Sequence, residues 1–251
     1  MKVSLIIPVY NEAQHLLEFL HRIDALDIGV DKELVIIDDC STDGSTKILD
    51  DFVFSSVHQV IHQTVNQGKG SAIIVGIGRA RGQVIGVQDA DFEYDMRDIV
   101  TLISPILEGR ADVVYGSRFK KSGEQVHRTF HYLINRFLTL LSNICSGLYL
   151  TDMETCYKFF KHEVISNIVL ESKRFGFEPE ITAKVSRLKL RIIELPISYF
   201  PRNYLQGKKI SWKDGIAALR HILYFNFFVK PSVFVKDGID PKFLPGSGHW
   251  L

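Results

Sequence analysis

Through its first half the chain alternates short apolar runs with stretches in which apolar residues recur at helical spacing. "VSLIIPV" (3–9), "ELVIID" (33–38), "VHQVIH" (57–62), "QVIGVQ" (83–88) and "ADVVYG" (111–116) read as strands. Several are apolar nearly throughout, the pattern of a strand covered on both faces. Between them the periodicity predicts helices over residues 12–26, 44–53, 69–80 and 95–108. Such βαβα alternation implies an α/β fold with a mostly parallel central sheet and helices on both faces. The second half differs. Residues 128–150 form a long helical pattern with a wide apolar face, 175–190 a second helix, 191–198 a strand, and 212–229 a helix stopped by Pro231. Residues 236–251, rich in Gly and Pro, read as a flexible tail.

Ligands of open parallel sheets bind at the carboxyl ends of the strands. Four polar clusters fall there: "YNE" after the first strand, "DDCSTDGS" after the second, "NQGKGSA" after the third and "DADFE" after the fourth. In "VQDADFEYDM" (87–96), Asp89, Asp91 and Glu93 alternate with other residues. On an extended backbone the three carboxylates would share one face. A divalent cation would neutralise that cluster, and Mg²⁺ or Mn²⁺ suits hard oxygen ligands. The alternative is an acidic turn capping the helix that begins near Asp95. "NQGKGSA" lacks the G-x-x-x-x-G-K-[ST] spacing of a P-loop, and no G-x-G-x-x-G follows the first strand. A nucleotide-and-metal site remains, without hydrolase or dehydrogenase signatures.

Composition adjusts this picture only slightly. In 251 residues, 46% are hydrophobic and the net charge is +1, which argues against bulk nucleic-acid binding. Three cysteines (Cys40, Cys145, Cys156) without CxxC spacing fit a reducing compartment. The opening "MKVSLIIPVYNE", interrupted by Pro8, reads as a buried strand rather than a signal peptide. The uncharged, largely apolar stretch 137–151 has 15 residues, short of the roughly 20 apolar residues a spanning helix needs.

"SLIIPVYNE", "VIIDDCSTDGS", "NQGKGSA" and "DADFE" together resemble the nucleotide-sugar motifs of family 2 glycosyltransferases with the GT-A fold. "YGSRF", "TDMETCYKFF", "FGFEPEITAK" and "PISYFPRNYLQGKKISWKDG" resemble the dolichyl-phosphate mannosyltransferase-like branch. The likeness covers residues 3–220, and implies a GT-A domain over 1–210. Its nucleotide-sugar half would be 1–116 and its acceptor half 117–210, followed by an amphipathic segment, 211–235. Pro8, Tyr10, Asn11 and Glu12 would line the nucleoside pocket, with Asp39 near the base or ribose. Asn66 and Lys69 would border the base and phosphates, and Asp89, Ala90 and Asp91 match the metal-binding D-x-D. Glu93 stands where relatives often carry glutamine, and its ligand role stays open. Asp38 reads equally as a pocket residue or a backbone-capping carboxylate.

The resemblance also implies a reaction: inverting transfer of a hexose from a GDP- or UDP-linked sugar to a polyprenyl phosphate, dependent on Mg²⁺ or Mn²⁺. Arg118 follows a strand end, and Arg202 with Lys208 matches the family's phosphate clamp; guanidinium groups suit diphosphate oxygens. Asp152 matches an acceptor-side carboxylate, for positioning or base work, with a helix cap as the alternative, and Glu180 is a candidate with an ordinary helix-surface alternative. Asp91, Asp152 and Arg118 are the expected catalytic set. A hydroxyl acceptor on a polysaccharide or lipopolysaccharide is the alternative, and a non-catalytic membrane-docking partner a further one. The implied location is the cytoplasmic face of a membrane, held peripherally, with a homo-oligomer possible. Two helices could touch lipid: 128–150, through Phe130, Leu133, Ile134, Phe137, Leu138, Leu141 and Ile144, and 212–229, through Trp212, Ile216, Leu219, Leu223, Phe227 and Phe228.

Overall fold

Apolar runs long enough to be covered on both faces become the centre of the sheet. In a computed structural model, β1 (Lys2–Val9) buries Val3, Leu5, Ile6, Ile7 and Val9 completely. The structure describes residues 1–120, 129–201 and 212–245, without the side chains of 129–131 and 212–214. Beside β1 lie β2 (Asp31–Asp38), β3 (Val57–His62) and β4 (Val84–Val87), all parallel to it or to its neighbour. The connecting helices are α1 (Ala13–Ala25), α2 (Ser45–Asp51) and α3 (Lys69–Arg79), so each parallel crossover is helical as expected.

The second half departs from that rhythm. Helix α4 (Asp98–Leu107) leads to β5 (Val113–Ser117), α5 (Thr129–Ser146), β6 (Lys158–Lys161), α6 (His162–Ile165), α7 (Phe177–Val185), β7 (Ile192–Pro196), α8 (Trp212–Phe227) and α9 (Pro231–Phe234). The order across the seven strands is β3-β2-β1-β4-β6-β5-β7. Strand β6 inserts between β4 and β5 and runs antiparallel to both. This strand is absent from the sequence expectation, because four residues flanked by lysines carry no period-two signal of their own. Its seat is sterically specified. A Cβ on Gly86 would stand 2.1 Å from the Phe159 ring, so only glycine lets β4 and β6 pair here.

Two further expectations are corrected. Helix α7 is shorter than 175–190, and all nine of its residues are buried. Glu180 is therefore no surface residue: its oxygens accept the backbone N–H groups of Glu171 and Ser172, and Lys184 pairs with it inside the core. Part of the expected flexible tail is packed. Ile239 and Phe243 are buried, and the Lys189 N–H donates to the Phe243 carbonyl at 2.8 Å.

Candidate active site

The loops after β1 and β2 are stitched to each other. Asn11 adopts φ 53, a left-handed conformation asparagine tolerates, and its side-chain oxygen accepts the Thr42 N–H at 2.7 Å. The N–H groups of Asn11, Glu12 and Ala13 donate to Ser41, Ser45 and Asp43. Pro8 and Tyr10 stand at the rim of this edge, Tyr10 exposed. Asp38 turns inward: it accepts from the Ser41 N–H, the Thr46 hydroxyl and His62. That is the capping reading of Asp38, and it leaves the carboxylate engaged within the protein. Asp39 does similar work one residue on, taking the N–H groups of Gln67 and Gly68 at 2.8 and 2.7 Å, while Asn66 donates to its carbonyl.

"NQGKGSA" carries no open amide cradle. Besides the two N–H groups on Asp39, those of Gly70 and Ser71 donate to the carbonyls of Arg174 and Lys173. A Cβ on Gly70 would meet the Ser172 carbonyl oxygen at 2.1 Å, so the glycine is there to admit the 172–174 loop. What this loop offers the site is Lys69. Its ammonium lies 2.8 Å from Asp89 and 3.4 Å from Glu178. Burial works against that charge, but the neighbouring acids, led by Asp89, hold its pKa well above the ordinary lysine value.

Strand β4 ends at Val87, so the carboxylates that follow lie beyond the strand, Asp91 and Glu93 on a bend. Asp89 meets Lys69; Asp91, buried like Ala90, accepts the Glu93 N–H; Glu93 accepts the Tyr199 hydroxyl at 3.1 Å. Among the described residues no three His, Cys, Asp or Glu side chains converge as a metal site. A magnesium-type ion needs only one or two carboxylates when substrate phosphates complete its shell. Asp89 and Asp91 fit that donor set.

Across the sheet edge stands a second polar wall. The Arg118 backbone N–H and Nε donate to one Asp152 oxygen, at 3.0 and 2.7 Å, and Nη2 to the other at 2.7 Å. Asp152 is wholly buried, and neither oxygen is left open. The guanidinium lies over the Tyr199 ring, 5.2 Å from its centroid. Glu194 braces the same loop by accepting the N–H groups of Thr151 and Asp152. The "TDMETCYK" segment is further tied to the D-x-D segment, since the Tyr157 hydroxyl donates to Gln88 and the Cys156 N–H to the Tyr94 hydroxyl. Lys158 is buried with its ammonium on the carbonyls of Met153 and Thr155, over the Tyr115 ring. Glu154 differs from all of these: its Oε1 is buried and has no partner. Burial, then Glu178, pushes its carboxyl up to about 8, against the pull of Lys158 and Arg118.

The structure thus brings Lys69, Asp89, Asp91, Arg118 and Asp152 to one edge of the sheet, and commits Asp38, Asp39 and Asn66 to shaping its loops. Arg202 and Lys208 lie outside the described residues. Sequence reasoning missed Glu154, Lys158, Glu178, Glu194 and Tyr199. All but Glu194 sit inside motifs quoted for the family resemblance, and for Glu154, Lys158 and Glu178 the signal available was charge within an otherwise apolar segment.

The fold with this edge defines a GT-A glycosyltransferase. Glucosyl-3-phosphoglycerate synthase from Mycobacterium tuberculosis, solved with Mn²⁺, UDP-glucose and glycerol 3-phosphate, superposes with a TM-score of 0.66 at 16% identity, over 90% of this chain and 80% of that one. The family model described as glycosyl transferase family 2 matches residues 4–169. The chain belongs to that family. It is 33% identical to an undecaprenyl-phosphate mannosyltransferase of Micrococcus luteus, over 83% of this chain and 87% of the relative. It is 32% identical to a dolichol-phosphate mannosyltransferase of Pyrococcus furiosus over 88% of its length, but spans only 63% of that relative.

Proposed function

We propose that this enzyme transfers a hexose, with inversion, from a nucleoside diphosphate sugar to a polyprenyl phosphate. The observation that carries this reading is the 33% identity to a polyprenyl-phosphate sugar transferase across most of both chains, joined to a site with paired acids on one side and a buried arginine on the other.

Asp91, with Asp89, would hold a Mg²⁺ or Mn²⁺ ion, which when bound offsets the charge on the donor's diphosphate. Lys69 holds Asp89 in place through its ion pair. Pro8, Tyr10, Asn11 and Glu12 edge the nucleoside pocket, which Asp39 shapes through the loop it caps. Arg118 presents its guanidinium to phosphate oxygens, and Asp152 is a positioning residue that fixes it. A lipid phosphate is anionic at neutral pH, so the acceptor needs orientation more than deprotonation. Arg202 and Lys208 remain the sequence's candidates for the distal phosphate.

A lipid acceptor requires access to a bilayer. Among the described residues no helix is long and apolar enough to cross one. Helices α5 and α8 contact each other and each keeps an exposed apolar row: Leu133, Phe137, Leu140 and Ile144 on α5, and Ile216, Leu223, Phe227 and Phe228 on and just after α8. Leu138 turns into the core instead, and the side chains of Phe130 and Trp212 lie outside the described set. Exposed Arg136, Arg220 and Lys230 flank these rows. Apolar faces with basic flanks suit an anionic lipid surface, and the enzyme docks there peripherally.

Incubation with Mn²⁺, labelled GDP- and UDP-sugars and undecaprenyl phosphate tests the reaction. A solvent-extractable labelled lipid that disappears with EDTA is expected; label appearing only on saccharide acceptors would overturn the proposal. Co-sedimentation with liposomes should rise with anionic lipid and fall when Phe227 and Phe228 are both replaced by Asp.

A further inference from the structure

We propose that Tyr199 is a positioning residue for the acceptor phosphate: its ring carries the Arg118 guanidinium, and its hydroxyl ties that support to the D-x-D segment. The inference rests on the lipid-phosphate reading above and names what holds its arginine in place besides Asp152.

Asp152 fixes one edge of the guanidinium, taking Nε and Nη2 at 2.7 Å each. Nη1 makes no hydrogen bond within the described residues and keeps solvent access, the side chain being 11% exposed. Its two N–H groups are the donors left for phosphate oxygens. The remaining freedom is a swing of the guanidinium plane about the Asp152 contact, and Tyr199 opposes it. The ring centroid lies 5.2 Å from Cζ, and Tyr199 is buried, so little water competes for its face. Phe119, at 5.6 Å, is the next residue in the chain and offers no independent anchor. A ring face holds a cation without consuming N–H donors. A second carboxylate in that place would take those donors and cancel the charge a phosphate needs.

The ring is itself fixed from two sides. Tyr199 and Tyr94 form an isolated antiparallel bridge, and the Phe200 N–H donates to the Glu93 carbonyl at 2.7 Å. The Tyr199 hydroxyl donates to the Glu93 carboxylate at 3.1 Å. The Tyr94 ring lies 5.5 Å from that of Tyr199 and 4.7 Å from that of Tyr157, so three buried rings form a column beneath the arginine. From the other side the Ile197 N–H donates to the Ser117 carbonyl at 3.0 Å, one residue before Arg118. Tyr199 therefore joins the arginine after β5 to the acids after β4. A binding group held by packed, hydrogen-bonded neighbours keeps the alignment that in-line attack by a phosphate requires.

Calorimetry tests this on the whole chain, with farnesyl phosphate in detergent and, separately, with Mn²⁺ and GDP or UDP. Tyr199→Met fills similar space without a ring face. It should bind farnesyl phosphate about tenfold more weakly, the scale of a desolvated cation over a ring. Farnesol and the Mn²⁺–nucleotide should stay within about twofold of wild type, as expected for groups Arg118 does not hold. Tyr199→Phe keeps the ring and drops only the Glu93 bond, so it should recover to within about threefold. Arg118→Lys keeps a cation beside Asp152 but not the planar fork. Adding Tyr199→Met to it should cost less than about threefold more.

Wild-type affinity for farnesyl phosphate in Tyr199→Met would overturn the assignment. Equal losses for farnesyl phosphate, farnesol and nucleotide would overturn it too, since they mark a folding defect. A Phe variant as weak as the Met variant would remove the role of the ring, and a full further loss in Arg118→Lys would show that Tyr199 acts elsewhere. If wild type binds the nucleotide but no farnesyl phosphate, the lipid-phosphate reading itself fails, and this assignment with it.

Discussion

The two halves of the sheet edge use polar residues in opposite ways. On the donor side, after β1, β2 and β3, side chains such as Asn11, Asp38 and Asp39 take backbone N–H groups and hydroxyls from the next loop. On the acceptor side, after β5 and before β6, charged side chains meet other charged side chains: Arg118 with Asp152, Lys120 with Glu194, and Lys69 reaching across to Glu178. The donor half rests on many modest hydrogen bonds, each replaceable. The acceptor half rests on buried charges, each of which becomes costly once its partner is gone.

The sharpest way to break that contrast is Arg118→Met, which strands the buried Asp152 carboxylate. A loss of about 3–5 kcal/mol is expected in urea unfolding, together with transfer activity. A loss below 1 kcal/mol would mean that the pair is as weak as a surface one. Next comes Asp91→Ala. Transfer should fall on the order of a thousandfold, as when one electrostatic stabiliser is removed from an active site. Calorimetry should lose the Mn²⁺ dependence of nucleoside diphosphate binding while stability changes less than in Arg118→Met. Unchanged metal dependence would remove Asp91 from the ion's shell.

Asp39→Ala probes the donor side. Two amide groups lose their acceptor, at about 1–3 kcal/mol, and hydrogen exchange should quicken at Gln67 and Gly68 rather than across the sheet. Uniform quickening would show that the donor loops are not locally held. The smallest effect is expected at His62. Its ring contacts Asp38 and Asp50, each at 3.0 Å, and these carboxylates raise its pKa despite burial. A raised folded-state pKa adds stability that is complete below the unfolded value near 6.5 and is lost as pH rises through the folded value. Because the ring is partly exposed, solvent screens the effect, and the thermal midpoint should drop by about 1 °C from pH 6 to pH 8.5. His62→Gln should flatten that slope; a slope identical to wild type assigns it elsewhere.

Legibility followed the same division. The first five strands and their helices lie within a few residues of the periodicity reading, because a parallel, doubly covered strand writes its burial directly into its composition. Strand β6 left no such trace, and Glu180 on an all-buried α7 was indistinguishable from a surface acid. The D-x-D segment was found, but the extended backbone expected to carry its acids was not, since the strand ends before Asp89.

By itself the sequence determined the alternation of elements, the edge at which the polar loops gather, and the family motifs on that edge. Those properties are local: backbone periodicity and turn chemistry act over a few residues. The tertiary structure alone decided which charge meets which. It placed β6 between β4 and β5, so that Arg118 found Asp152 and Lys69 found both Asp89 and Glu178. It also left the Glu154 Oε1 atom buried and unpaired. Electrostatic and hydrogen-bond partners are set by distance in space, and that distance depends on a strand order no local pattern encodes.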